Sequence, residues 1–181
     1  MAKRRPTAAS FDAEFSDLYE RLFPQVYAFL RSQAPRAEVA QELTSSVFLK
    51  ACRHWPNAPR GEAASFWVFT IARTTLIDYW RVEGRHDAAN VSLDELAEAS
   101  DAGADPERLC AAKERSLALV RAASTLGETD RVLIALKFAA QRSNQQIAGI
   151  LGISEAAVSM RLGRALRRLR DRLREAGHGE G

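Results

Sequence analysis

Hydrophobic positions recur at helical spacing along most of this chain. Phe15, Leu18, Tyr19, Leu22, Phe23, Val26, Tyr27 and Leu30 follow the i, i+3, i+4, i+7 pattern of one helical face. Pro24 falls inside that run and predicts a break, with a second helix starting on it, because proline fits a helix best in its first turn. Pro35 ends the segment. A further helix is predicted from about Arg36 to His54. Val39, Leu43, Val47 and Ala51 make its inner stripe, and Glu42, Ser45, Ser46, Leu49 and Lys50 fall on other faces. The stretch from Trp55 to Ala63 holds Pro56, Pro59 and Gly61 and predicts a loop.

Ser65 to Arg81 predicts a third helix, packed through Val68, Ile71, Ala72 and Leu76. Its aromatics, Phe66, Trp67, Phe69, Tyr79 and Trp80, spread over more than one face, beside Arg73 and Arg81. Two readings are open. The helix is either a thick hydrophobic rod at the centre of a bundle, or it exposes rings and guanidiniums suited to unstacked bases and their phosphates. From Asp87 to Cys110 the pattern fades to a short apolar set, Val91, Leu93 and Leu96. It returns in a helix from about Glu107 to Ser124, and in another from Thr129 to Ala140 that offers Val132, Leu133, Leu136 and Phe138 for packing.

The sharpest punctuation lies between Asn144 and Leu173. A helix is predicted from Asn144 to Leu151 with Ser143 as its N-cap, and Gly152 follows where a helix end needs positive φ. Ser154 can cap the next helix, with Glu155 suiting the positive end of its dipole. Ile147, Leu151, Ile153 and Val158 would form the small core between the two helices, with Ala148 letting their axes approach. This is the pattern of a DNA-binding helix-turn-helix. The second helix carries Arg161, Arg164, Arg167, Arg168, Arg170, Arg172 and Arg174 beside an apolar stripe of Val158, Leu162, Leu166, Leu169 and Leu173. A basic helix alone is often only a solvated face. Joined to a correctly spaced turn, it points to nucleic acid.

Composition sharpens this picture in few respects. An apolar content of 46% and a charged content of 27% over 181 residues fit a soluble globular chain of one domain or two small ones. The net charge of +3 conceals an asymmetry. Asp87, Asp94, Glu95, Glu98, Asp101, Asp105 and Glu107 make an acidic stretch without Lys or Arg, opposite in sign to the C-terminal helix. Cys52 and Cys110 form no C-x-x-C and imply neither disulfide framework nor zinc site. His54, His86 and His178 lie in loop or terminal contexts without ligand or nucleophile spacing and read as surface residues. No glycine loop for phosphate is present, so neither enzyme activity, metal nor cofactor is expected. The basic N-terminus has no apolar run behind it, and no stretch nears the ~18 apolar residues of a membrane span. The expected location is the cytoplasm.

Three stretches, in order, carry a family resemblance. Glu42-Leu43-Thr44 followed by Val47-Phe48-Leu49-Lys50-Ala51 resembles a D-L-x-Q-E-x-F-L-x-A helix. Trp67-Val68-Phe69-Thr70-Ile71-Ala72-Arg73 resembles W-L-x-x-I-A-R-N. Ile147-Ala148, Leu151-Gly152-Ile153-Ser154-Glu155, Val158, Arg161-Leu162 and Arg164-Ala165 resemble I-A-x-x-L-G-I-S-E-G-T-V-x-S-R-L-x-R-A-R. From about Phe11 to Leu173 the chain thus resembles the extracytoplasmic-function (ECF) sigma factors of bacterial RNA polymerase. It departs from them in having Ser45-Ser46 for the paired Gln-Glu and Thr74 for the Asn after Ala-Arg. Ser159, Met160 and Gly163 also differ from the usual recognition-helix residues.

The resemblance implies an all-α fold of two small helical domains joined by an acidic linker, the second a helix-turn-helix of the winged-helix-like family. Residues 1–10 would be a disordered tail, 11–86 a domain for core polymerase and the −10 element, 87–110 the linker, 111–175 the −35 domain and 176–181 a tail. It assigns Glu42, Ser45, Ser46, Leu49 and Lys50 to core polymerase. Arg60, Trp67, Arg73, Thr74, Asp78 and Arg81 go to −10 recognition and melting. Ser154, Glu155, Ala157, Ser159, Met160, Arg161, Gly163, Arg164 and Arg168 go to the −35 element. The implied partners are core RNA polymerase, promoter DNA and an anti-sigma factor, for a protein that is monomeric when free, does not insert in a membrane and serves a specific stress- or signal-responsive regulon. The alternative is a stand-alone helix-turn-helix regulator with an N-terminal interaction module.

Overall fold

The structure is a computed structural model that describes residues 8–82, 114 and 118–175. The first unit holds α1 (Ala8–Arg31), α2 (Ala37–His54), a 3-10 turn (Trp55–Asn57) and α3 (Glu62–Val82). The second holds α4, described over 118–124, α5 (Glu128–Ile134), a π-helical turn (Ala135–Ala139), α6 (Asn144–Leu151) and α7 (Glu155–Glu175). Among the described residues there is no strand. The acidic stretch 87–110, the tail 176–181, Cys110, His86 and His178 lie outside the described residues.

Two sequence expectations are corrected. Pro24 does not divide its segment, because α1 runs through it without interruption. The ring sits on the exposed face, while Leu18, Leu22, Val26, Phe29 and Leu30 are each no more than 4% exposed. Burial of about 1.5–3 kcal/mol per such side chain exceeds the ~3 kcal/mol cost of one internal proline. The same helix begins at Ala8, ahead of Phe11.

The expected helix from Thr129 to Ala140 is also not regular. After Ile134 it widens into a π turn, in which the Ala140 amide donates to the Ala135 carbonyl five residues back, at 3.0 Å. The Arg142 amide then donates to Leu136 at 2.9 Å, across Gln141 at φ 54°. The inserted residue shifts the register. Val132, Leu133, Ala135 and Leu136 are buried, but Phe138, expected in the packing, is 56% exposed.

The aromatic helix resolves towards the bundle centre. Phe69 and Trp80 of α3 are buried with Trp55, whereas Phe66, Trp67 and Tyr79 are half-buried. The two units do not stand apart. Leu133, Leu136, Ile147, Ile150, Val158 and Leu162 join the same apolar cluster as Val26, Phe29, Val68 and Phe69. Two arginines of the second unit complete the joint. Arg142, 8% exposed, lies 4.9 Å from the Phe69 ring centre and donates to Ala140 O (3.1 Å) and Ser65 Oγ (3.4 Å). Arg131 lies 4.2 Å over Trp80 and donates to Gln33 Oε1 at 3.3 Å. Burial lowers both pKa values; Glu128 opposes this at Arg131, and Arg21 adds to it at Arg142. Guanidinium nonetheless stays protonated in proteins.

Candidate nucleic-acid interface

The helix-turn-helix is fixed by its caps. Ser143 Oγ accepts from the Gln146 amide (3.1 Å), and Gln146 Oε1 accepts from the Ser143 amide (3.0 Å), a reciprocal box. Gly152 takes φ 65°, ψ 35°, and its amide and that of Ile153 both donate to Ala148 O. A side chain there would be strained, which accounts for glycine at this turn. Ser154 Oγ accepts from the Ala157 amide at 3.2 Å and starts α7, with Glu155 in its first turn. Ile147, Ile150 and Val158 are the buried pins of the pair, and Leu151 and Ile153 are half-buried. Ile150 is not among the core residues expected from the sequence, yet it is 3% exposed and belongs to the apolar cluster shared with the first unit.

On α7 the residues Val158, Leu162, Ala165 and Leu169 point inward. The opposite face exposes Ser159, Met160, Arg161, Gly163 and Arg164, while Ala157 is half-buried. Met160 is 52% exposed, and its Sδ lies 3.3 Å from Arg164 Nη2. A Cβ on Gly163 would meet nothing within 4 Å, so no contact inside the chain requires glycine there. Arg167 Nε donates to Gly163 O at 3.2 Å. Arg168 turns the other way. It pairs with Asp130 of α5, whose side chain is only 13% exposed, and so braces the recognition helix from behind.

The assigned residues of the first unit separate similarly. Glu42, Ser45 and Leu49 are exposed on α2, Leu49 at 59%, and Ser46 is half-buried. Lys50 is not on that surface: its Nζ donates to the buried Thr75 Oγ1 of α3 at 2.9 Å. Arg60 is also engaged internally. It bridges to Glu14 (3.3 Å), lies 4.2 Å over Trp55, and donates to Trp55 O (3.0 Å) and Ala58 O (2.8 Å), holding the loop to α1. Trp67 packs 6.4 Å from the Trp55 ring. Arg73 is half-buried, Thr74 is exposed with its hydroxyl on Thr70 O (2.9 Å), and Asp78 pairs with Arg81 at 3.2 Å. Part of this helix is covered by α6: Phe66 abuts Gly149, and Thr70 Oγ1 reaches Ile150 O at 3.5 Å. Sequence reasoning missed Gly149 and Arg142, whose roles appear only across the joint. It also missed Lys137 and Asn144 behind the recognition helix. Among the described residues no group of three or more His, Cys, Asp or Glu could hold a metal, and no helix is long and apolar enough to cross a membrane.

Two helical units, the second a capped helix-turn-helix with a basic second helix, are the architecture of a σ70-type factor. Residues 18–86 match the Sigma-70 region 2 family and residues 116–169 match Sigma-70, region 4. The ECF RNA polymerase sigma factor SigL of Mycobacterium tuberculosis is 30% identical over 180 residues, 98% of each chain. ECF RNA polymerase sigma factor RpoE of Cereibacter sphaeroides is 28% identical over 166 residues, 90% of this chain and 87% of that one. Among solved structures, the sigma factor RpoE in complex with the anti-sigma factor NepR from Bartonella quintana shares the fold. Its TM-score is 0.64 at 21% identity, covering 88% of this chain and 96% of that one. CnrH in complex with the cytosolic domain of CnrY does so at 0.57 and 22%, covering 86% and 84%. The chain belongs to the ECF sigma factors of RNA polymerase.

Proposed function

We propose that this sigma factor reads the −35 element with the N-terminal half of α7 and the opened −10 strand with α3, while the outer face of α2 grips core polymerase. The observation that carries the reading is the outer face of α7. Ser159, Met160, Arg161, Gly163 and Arg164 lie together, exposed, within the first turns of a helix whose start is set by Ser154. The first turns of a recognition helix meet base edges, and flanking cations follow phosphates. On α2, Glu42, Ser45 and Leu49 fall at i, i+3 and i+7, one open stripe for a partner helix. On α3, Arg73 and Thr74 lie beyond the part covered by α6 and can meet single-stranded bases. Opening then draws on base capture, with no catalysis by the chain itself.

Phe66 is half-buried against α6, whereas Thr70 stays exposed beside it. Release of α6 from α3 on polymerase binding would uncover Phe66 and widen the face that α3 offers to promoter DNA. An anti-sigma factor spanning both units would hold them together; the similar sigma factor RpoE of Bartonella quintana is found in complex with the anti-sigma factor NepR. That arrangement suits a signal- or stress-responsive regulon read in the cytoplasm. Run-off transcription with core polymerase on a promoter pool tests the reading. Transcripts should start downstream of one shared pair of −35 and −10 elements. A polymerase that works with another sigma factor yet gives no promoter-specific transcript with this chain overturns it.

A further inference from the structure

Behind the exposed face of α7 lies a three-residue polar relay. Lys137, on the π turn, donates from Nζ to Asn144 Oδ1 at 3.0 Å. Asn144, the first residue of α6, donates from Nδ2 to Ser159 Oγ at 3.0 Å. The relay has a direction. An ammonium has three donors and no acceptor, so the face of the amide that meets Lys137 must be its oxygen. The amide NH2 is then forced towards Ser159, and a flipped amide would set donor against donor. Ser159 Oγ therefore receives a hydrogen bond from behind. Among the described residues its hydroxyl donates to nothing, and the side chain is exposed.

We propose that Asn144 is a positioning residue that polarises Ser159 as a hydrogen-bond donor, so that this position of the −35 element is read as a base offering an acceptor. The inference rests on the reading of Ser159 as a base-facing residue. In the major groove guanine offers O6 and N7, thymine offers O4, adenine offers N7 beside its N6 amine, and cytosine offers only its N4 amine, a donor. The relay thus favours guanine, thymine or adenine over cytosine at one position. A phosphate oxygen is an acceptor as well, and the two sources differ in outcome. A phosphate bond weakens all sequences alike when lost, and a base bond changes preference at one position.

The test is selection of −35 sequences from a randomised promoter library by the full chain with core polymerase. Ser159→Ala should flatten preference at one position, by roughly three- to tenfold for a single hydrogen bond. Asn144→Asp is the decisive variant. A carboxylate still accepts from Lys137 but can only accept from Ser159. The serine hydrogen then turns inward, its lone pairs face the groove, and preference at that position should move towards cytosine. Asp at a helix start also suits the dipole, so the fold is expected to persist. Lys137→Met, which leaves the amide free to rotate, should blunt the preference without reversing it, and supplies a second reading should the first variant misfold. If Ser159→Ala weakens every sequence equally or leaves the motif unchanged, Ser159 does not read a base and the underlying assignment fails. If Ser159→Ala flattens a position while Asn144→Asp and Lys137→Met both keep the wild-type preference there, the relay is overturned and the assignment stands.

Discussion

A Cβ added to Gly149 would sit 2.8 Å from Cδ2 and 2.9 Å from Cε2 of Phe66, so α6 meets α3 where α6 has no side chain. The contact joins the helix-turn-helix to the helix assigned to −10 DNA. In an exposed helix interior, Gly→Ala gains about 1 kcal/mol. Overpacking costs about 1–3 kcal/mol, and here it opposes that gain.

Gly149→Ala should therefore be neutral or destabilising in the native background. With Phe66→Ala already present the clash is gone, and the same substitution should stabilise by about 1 kcal/mol. Urea unfolding of the four proteins measures the coupling. Equal stabilisation by Gly149→Ala in both backgrounds would mean that α6 does not rest on α3 in solution.

Arg142 makes the second prediction. Its guanidinium, buried at the joint, has donors on Ser65 and Ala140 and a face towards Phe69. Hydrogen bonds to a charged group contribute about 1.5–3 kcal/mol. Arg142→Ala should cost about that much, and Arg142→Lys should recover little, since an ammonium lacks the planar fork that holds two acceptors and a ring together. Thermal unfolding checks both. A lysine variant as stable as wild type would show that charge alone matters here.

Much of this was legible in the sequence, and what was not has a common cause. The caps at Ser143, Gly152 and Ser154 are local chemistry, and the structure has them where residue type and spacing put them. The helix boundaries of α2 and α3 follow from hydrophobic period within a few residues. The failures are tertiary. Pro24 reads as a break only while the buried stripe on both sides of it is ignored. The π turn leaves no mark on composition. Lys50, Arg60 and Arg168 look like free cations in a sequence because Thr75, Glu14 and Asp130, which engage them, are all distant along the chain. For the same reason the motif resemblance marks a candidate interface but cannot sort its arginines.

Lys50 separates two roles on α2. Glu42→Arg with Leu49→Ala alters the open stripe and should weaken capture of core polymerase while helical content and stability stay near wild type. Lys50→Ala removes the bond to Thr75 and leaves a buried hydroxyl without its partner, a cost of about 1–3 kcal/mol. It should lower the melting temperature more than polymerase affinity. Ser45→Gln with Ser46→Glu should tighten capture. A pull-down with core enzyme, run beside circular dichroism, distinguishes these outcomes. Undiminished capture by the Glu42/Leu49 variant would remove α2 from the polymerase contact.

The recognition helix gives the sharpest division. Met160 is exposed beside Arg164 and offers only apolar contact, which suits a thymine methyl. Met160→Ser should change the selected −35 motif at one or two positions with little change in salt dependence. Arg161 is exposed on the same face, without a partner among the described residues. If it meets a phosphate, Arg161→Ala should weaken all sequences alike and reduce the salt slope by about 1. Arg168 is assigned to the −35 element by the motif resemblance, but its guanidinium is held by Asp130 behind the helix. Arg168→Ala should leave the salt slope nearly unchanged and instead loosen α7 from α5, lowering the melting temperature. Asp130→Asn should reproduce that loss of stability. Binding titrations at three or more salt concentrations, with a parallel melting curve for each variant, separate the two arginines. A slope reduced by Arg168→Ala and not by Arg161→Ala would mean that the Arg168–Asp130 pair opens on DNA and that Arg168 follows the backbone.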